Sequence, residues 1–156
     1  SSAKRIVRYS FSNEGLDRSR LESIAQSLPP DLELRRFDEE AIRQAASHRW
    51  SVALVENFRS PEHFLETGVA FGAFDHGELV AGASSFARYD ATVEIEVDTE
   101  SSYRRRGLAA ATAANLILHC LDHALAPHWD AANEASRRLA ERLGFTLERD
   151  YEVLKL

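Results

Sequence analysis

Two short stretches carry residues that could do chemistry. In "TVEIEVD" (Thr92 to Asp98) the carboxylates Glu94, Glu96 and Asp98 alternate with Val93, Ile95 and Val97. Strand geometry puts the three acids on one face and the three aliphatic residues on the other. Crowded carboxylates raise one another's pKa, which suits a base working near neutral pH, and they attract a cation. The same face could equally lie open to water, or pair its acids with Arg88 or Arg36. A few residues on, "SSYRRRGLAAA" sets Arg104, Arg105 and Arg106 before Gly107, Leu108, Ala109 and Ala110. The first amides of a helix have no internal partners and carry partial positive charge, so they hold a phosphate without side chains. Glycine allows close backbone approach, and arginines add charge-assisted bonds. The reading is a phosphate or pyrophosphate cradle; the plain alternative is a solvated arginine turn before a core helix.

Other reactive side chains point less clearly. His119 and His123, at i and i+4, lack a third ligand in sight, so no metal is expected. Cys120 falls on an apolar stripe and reads as a small hydrophobe. It is the single cysteine of 156 residues, so no intramolecular disulfide can form, and a reducing, cytoplasmic setting is expected.

Whole-chain properties narrow the classes. The net charge of −6 argues against nucleic-acid binding, and 44% hydrophobic residues supply a core for one domain. No apolar run reaches membrane-spanning length, and no signal-peptide pattern opens the chain. Methionine is absent, so the start of the chain reads as processed or trimmed.

The elements that must position these residues follow from periodicity. Residues 3–11 alternate as a strand. Leu16, Leu21, Ile24 and Leu28 follow helical spacing until Pro29 and Pro30 stop it. A short strand over 31–37, a helix over 38–50 and a short helix capped by Ser60 and Pro61 come next. Strands over 69–74, 78–87 and 91–98 form an antiparallel meander, with the first hairpin turning at Asp75 to Gly77. After Gly107 the period becomes helical for about four turns, with Leu108, Thr112, Leu116 and Cys120 in one stripe, Ala109, Ala113, Ile117 and Leu121 in the stripe beside it, Asn115, His119 and Asp122 facing elsewhere, and burial expected on one side. Residues 125–131 read as one strand. Asn133 caps a helix that Gly144 ends, and the last segment supplies one or two strands. This gives an α/β (α+β) fold: a mixed, mostly antiparallel central sheet of about six to seven strands flanked by helices on both faces.

"RRRGLA", of the form R-x-x-G-x-A between a strand and a helix, resembles the acetyl-coenzyme A signature of the GCN5-related N-acetyltransferase (GNAT) superfamily. "WDAANEASRRLAERLGF" resembles that family's second signature. With "FLETGVAFGAF" and the late tyrosine of "DYEVL", the chain is similar to the subgroup typified by the zwittermicin A resistance protein. The resemblance covers residues 31–156, as one compact domain with 1–30 as an N-terminal strand–helix extension. It implies the acyl-CoA N-acyltransferase fold and an acetyl-CoA-dependent N-acetyltransferase acting on a small amine, with no metal and with a homodimer left open. It implies that the pantetheine arm runs along Val97, Asp98 and Thr99. The pyrophosphate would rest on the amides from Arg104 to Ala110, and Asn133 and Ser136 would meet the pantetheine and the thioester. Glu94 or Glu96 would be the base. His128 and Trp129 would flank the cofactor cleft, and Trp50, Phe58 and Phe64 would lie where the acceptor pocket forms.

Two departures stand out. The arginine loop is longer than the commonest version, and Ala140 replaces the tyrosine that protonates the departing thiolate in many members. Tyr151, Ser136 or water would have to replace it. A non-catalytic acyl-CoA-binding or regulatory module of the same fold is the alternative, and an unrelated nucleotide or phosphate binder a third.

Overall fold

In the computed structural model, which describes residues 3–155, eight strands divide into two sheets. The larger sheet has the order β2-β3-β4-β5-β6, from β2 (Glu33–Arg36), β3 (Ala70–Asp75), β4 (Glu78–Tyr89), β5 (Thr92–Thr99) and β6 (Ala126–His128). Its pairs are antiparallel except β5 with β6, which run parallel. The smaller sheet is β7-β1-β8, with β1 (Lys4–Ser12) between β7 (Asp130–Ala131) and β8 (Thr146–Lys155), antiparallel to both.

The run 125–131, expected as one strand, is the joint between the sheets. Its first half pairs with β5, its second half with β1, and buried Trp129 sits at the break. The last segment is one strand rather than two, because β1 pairs with it along nearly its whole length. The hairpin at His76 and Gly77 uses positive φ at both residues, the geometry that suits the twist of paired strands.

Helices cover both faces of the large sheet. On one side lies α4 (Leu108–Asp122), overlaid by α1 (Arg18–Ala25). The expectation that α4 buries one side only is corrected here. Ala110, Ala111 and Ala114 are buried as well as the stripe of Leu108, Thr112, Leu116 and Cys120 and its neighbours Ala113 and Ile117, and Asn115 Nδ2 donates to the Ala25 carbonyl of α1 at 3.2 Å. Alanine on the back of α4 is what lets α1 approach closely. On the other side lie α2 (Glu39–Ala46), a 3-10 turn (Val52–Leu54) and α3 (Pro61–Thr67). Phe37, Ile42, Leu54, Phe64 and Phe74 fill that layer. Gly82 leaves room there: a Cβ at this position would lie 2.9 Å from Leu54 Cδ1, so glycine lets the leucine of the 3-10 turn pack directly on the sheet. The helix expected over 38–50 is shorter, ending at Ala46, where Ser47 turns back to the Gln44 carbonyl. The fifth helix, α5 (Glu134–Leu143), follows the smaller sheet and ends at Gly144, whose φ is +108°.

Candidate active site

The site forms where the sheets part. β5 and β6 pair only through Thr92–Glu94 and Ala126–His128. Beyond Glu94, β5 keeps β4 on one edge and has no ladder partner on the other, while β7 turns away to β1. The strands therefore splay into a cleft of about 950 Å³. One wall is Ile95 to Thr99, with their open backbone edge. The opposite wall is Trp129, Asp130, Ala132 and Asn133, and the floor is Gly107 to Ala110 at the start of α4.

The helix starts differ in a telling way. α1, α2, α3 and α5 are capped by the side chains of Asp17, Asp38, Ser60 and Asn133. α4 has no side-chain cap, although it is the longest of the five. Its first amides, at Leu108, Ala109 and Ala110, belong to residues on the cleft floor. Gly107 adopts φ +78°, a left-handed conformation that opposes side chains, and a Cβ there would meet no protein atom within 4 Å. This fits an anion docked on backbone amides.

The long arginine loop is pinned so that it presents this floor. Glu100 accepts from Ser102 N at 2.9 Å, and the Tyr103 hydroxyl donates to Asp75 of the β3–β4 hairpin. One terminal nitrogen of Arg106 donates to both carboxylate oxygens of Asp31, at 2.9 and 3.0 Å, and the guanidinium lies over the Tyr103 ring. The three arginines thus part company. Arg104 and Arg105 line the cleft, and Arg106 reaches back to hold the loop. Arg105 itself has φ +65°.

Of the acids, Glu96 and Asp98 line the cleft beside Trp50; Glu94 does not. Glu94 accepts from Tyr89 Oη at 3.3 Å and pairs with His128 Nδ1 at 2.8 Å, so His128 closes the joint rather than the cleft. Burial pushes the Glu96 carboxyl up to about 8, helped by its hydrogen bond to Asp98 and by the negative charges of Asp98 and Glu56. Asp98 is raised as well, mainly by burial.

On the far wall, Asn133 Oδ1 accepts from Ser136 N at 2.9 Å, and Trp129 Nε1 donates to Ser136 Oγ at 3.2 Å. Both Asn133 and Ser136 line the cleft. Tyr151 stands behind the wall: its hydroxyl donates to Asp130 Oδ2 at 2.5 Å, a bond that raises its pKa. Ala140 is fully buried in the core. Phe64 is core, whereas Phe58 lines a separate groove between α3 and β4.

Several cleft residues were missed from the sequence, among them the charged Arg142, Arg8 and Asp130. Arg142 follows Ala135 and Leu139 on one stripe of α5, a spacing that could have found it. Arg8 comes from β1 and pairs with Asp130 at 3.2 Å; no local pattern joins residues that distant. Cys120 is buried, which raises its thiol to about 11. Among the described residues, no three His, Cys, Asp or Glu side chains gather to hold a metal, and no helix is long and apolar enough to cross a membrane.

A sequence profile described as GNAT acetyltransferase matches residues 1–154. The chain belongs to this GNAT family. A solved GCN5-related N-acetyltransferase-like protein from Streptococcus suis 89/1591 is 38% identical with a TM-score of 0.94; the alignment covers 98% of this GNAT chain and 62% of that one. A putative GNAT-family acetyltransferase from Novosphingobium aromaticivorans DSM 12444 is 21% identical at TM-score 0.68, covering 97% and 64%, and shows the shared fold. The uncharacterized N-acetyltransferase YdfB of Bacillus subtilis (strain 168) is 29% identical over 128 residues, 81% of this chain and 49% of YdfB. The chain thus spans about half of the curated relative and under two thirds of either solved chain.

Proposed function

We propose that the chain is an acetyl-CoA-dependent N-acetyltransferase that moves an acetyl group to the amine of a small molecule by direct attack on the thioester. One observation carries this reading. The uncapped start of α4 lies on the floor of the same cleft whose wall is the open edge of β5. A pyrophosphate on the amides and an extended, amide-bearing arm along a strand edge are what such a cleft accommodates. Acetyl-CoA supplies the activated acyl group as a thioester. Gly107 to Ala110 hold phosphate, with Arg104, Arg105 and Arg142 adding charge. Val97, Asp98 and Thr99 offer backbone hydrogen bonds to the arm, and Asn133 meets it from across the cleft.

Glu96 is the base. It faces the cleft and its carboxyl titrates near the working range, so it can take the proton an ammonium must lose before attack. Glu94, tied to His128 and Tyr89, shapes the strand end and contributes negative charge to the same face. Ser136 Oγ already accepts from Trp129, which leaves its O–H to donate to the leaving sulfur. Tyr151 acts through Asp130 rather than at the sulfur. The subgroup likeness to the zwittermicin A resistance protein and a cytoplasmic workplace complete the proposal. The test follows free thiol released from acetyl-CoA against a panel of small amines. Amine-dependent release supports transfer; tight acetyl-CoA binding with no release on any amine favours the non-catalytic module instead.

A further inference from the structure

The smaller sheet has two chemically different faces. Tyr9, Phe11 and Ala131 pack into the core with α4 and α5, as do Val93, Ile95 and Val97 of β5. The other face of the smaller sheet therefore looks the same way as Glu96 and Asp98. Residues opposed across a ladder share a face, and on this one the register sets Lys4 against Lys155, Arg8 against Tyr151, and Ser10 against both Arg149 and Asp130. Lys4, Arg8, Arg149 and Lys155 thus share the face with Asp130 as the one acid so aligned, in a chain whose net charge is −6. Asp130 is engaged on both oxygens. Its Oδ1 accepts from Arg8 Nε at 3.2 Å, and its Oδ2 accepts from the Tyr151 hydroxyl at 2.5 Å. The bond from Nε fixes the guanidinium plane and leaves donors on the terminal nitrogens. Arg8 lines the cleft, across from Glu96. The other arginines of the cleft stand elsewhere: Arg104 and Arg105 on the loop into α4, and Arg142 on α5. Those belong to the phosphate end, whereas Arg8 comes from the side that Glu96 faces.

We propose that Arg8 selects the acceptor by binding a carboxylate carried on the same small molecule as the amine, so that the substrate is an amino acid or a related amino-carboxylate. The amine end lies toward Glu96, and the carboxylate meets the terminal nitrogens of the guanidinium, a planar match that a lysine could not supply. Asp130 and Tyr151 are positioning residues that hold the fork in place. The negative charge of Asp130 opposes a doubly charged group, so a carboxylate fits here better than a phosphate. The basic surroundings of Lys4, Arg149 and Lys155 draw such an anion toward this side of an otherwise acidic chain. This substrate class rests on the acetyl-transfer reading.

The experiment uses matched acceptors: alanine, β-alanine and γ-aminobutyrate, each beside its carboxamide, with thiol release from acetyl-CoA as the readout. Wild type should favour at least one carboxylate over its amide by about tenfold or more in kcat/KM, as a site built for a charged group does against an analogue without it. In Arg8→Gln that ratio should fall close to unity, mainly through a higher KM for the carboxylate. Arg8→Lys, which keeps the charge without the planar fork, should fall between the two. Wild type that uses the amides, or other amines without a carboxylate, as well as the carboxylates overturns the proposal, and this comparison needs no variant. A loss in Arg8→Gln that is equal for both members of a pair also overturns it, because that is the mark of a damaged cleft wall. If wild type releases thiol with no amine, the transfer reading fails. Calorimetric titration of the same carboxylates and amides into wild type and Arg8→Gln, each saturated with coenzyme A, then decides carboxylate recognition alone: binding of a carboxylate but not its amide, lost in Arg8→Gln, upholds it, and any other result overturns it.

Discussion

At Glu96 the half-buried carboxyl lies near the negative charges of Asp98 and Glu56, and that single residue sets two pH dependences. As the proposed base it must be ionised, so kcat/KM should climb through a midpoint near its free-chain value of about 8 and level off above it. Glu96→Gln should lower kcat by about a hundredfold or more with acetyl-CoA affinity unchanged. Stability runs the other way. The folded carboxyl titrates at about 8 against an ordinary 4.5, so between those values the folded chain binds the extra proton. Folding stability from this group is fully present below about 4.5 and is lost as pH rises through about 8. Thermal melts from pH 5 to 9 should therefore show a downward slope in wild type that is shallower in Glu96→Gln. The arginines separate at the same scale. Arg104→Ala and Arg105→Ala should each weaken acetyl-CoA binding by up to about tenfold at low salt, with less effect at high salt. Arg106→Ala should change it little, since Arg106 is spent on an exposed pair with Asp31.

At the scale of elements, the start of α4 is the part that the sequence displayed most openly. A strand, an arginine loop, a glycine and an alanine-rich helix were legible because each obeys a local rule, and Gly107 takes the left-handed φ such a junction needs. Gly107→Val should cost about 1–2 kcal/mol of stability from its backbone alone. Its side chain would also stand in the open cleft, so acetyl-CoA binding should weaken beyond what the lost stability explains; melts and titrations on one preparation separate the two. The alternation of acids on β5 was legible for the same local reason. Which acid reaches the cleft was not, because that depends on where β6 stops pairing with β5. Arg106 was equally opaque: only the fold brings it to Asp31. The wider burial of α4 at Ala110, Ala111 and Ala114 also escaped periodicity, since alanine is compatible with either a solvent face or a close helix contact.

For the whole molecule, the decisive arrangement is long-range. β1, at one end of the sequence, is the middle strand of the smaller sheet, holding β7 on one edge and β8 on the other. Through Arg8 it also reaches the cleft wall at Asp130. No local pattern reveals a strand pairing with partners more than a hundred residues away. Val7→Pro should therefore cost about 3 kcal/mol or more by breaking that ladder, read as a large drop in melting temperature. Acetyl-CoA binding should weaken with it, because β7 would lose the strand that draws it away from β5 and keeps the cleft open.

The most direct test of the account is calorimetric titration of acetyl-CoA into the wild-type chain and Gly107→Val, with ATP as the control ligand. The account expects micromolar binding to wild type, at least tenfold weaker binding to the variant, and none of comparable strength for ATP. Absence of acetyl-CoA binding to folded wild type, or equal binding by the variant, would contradict it.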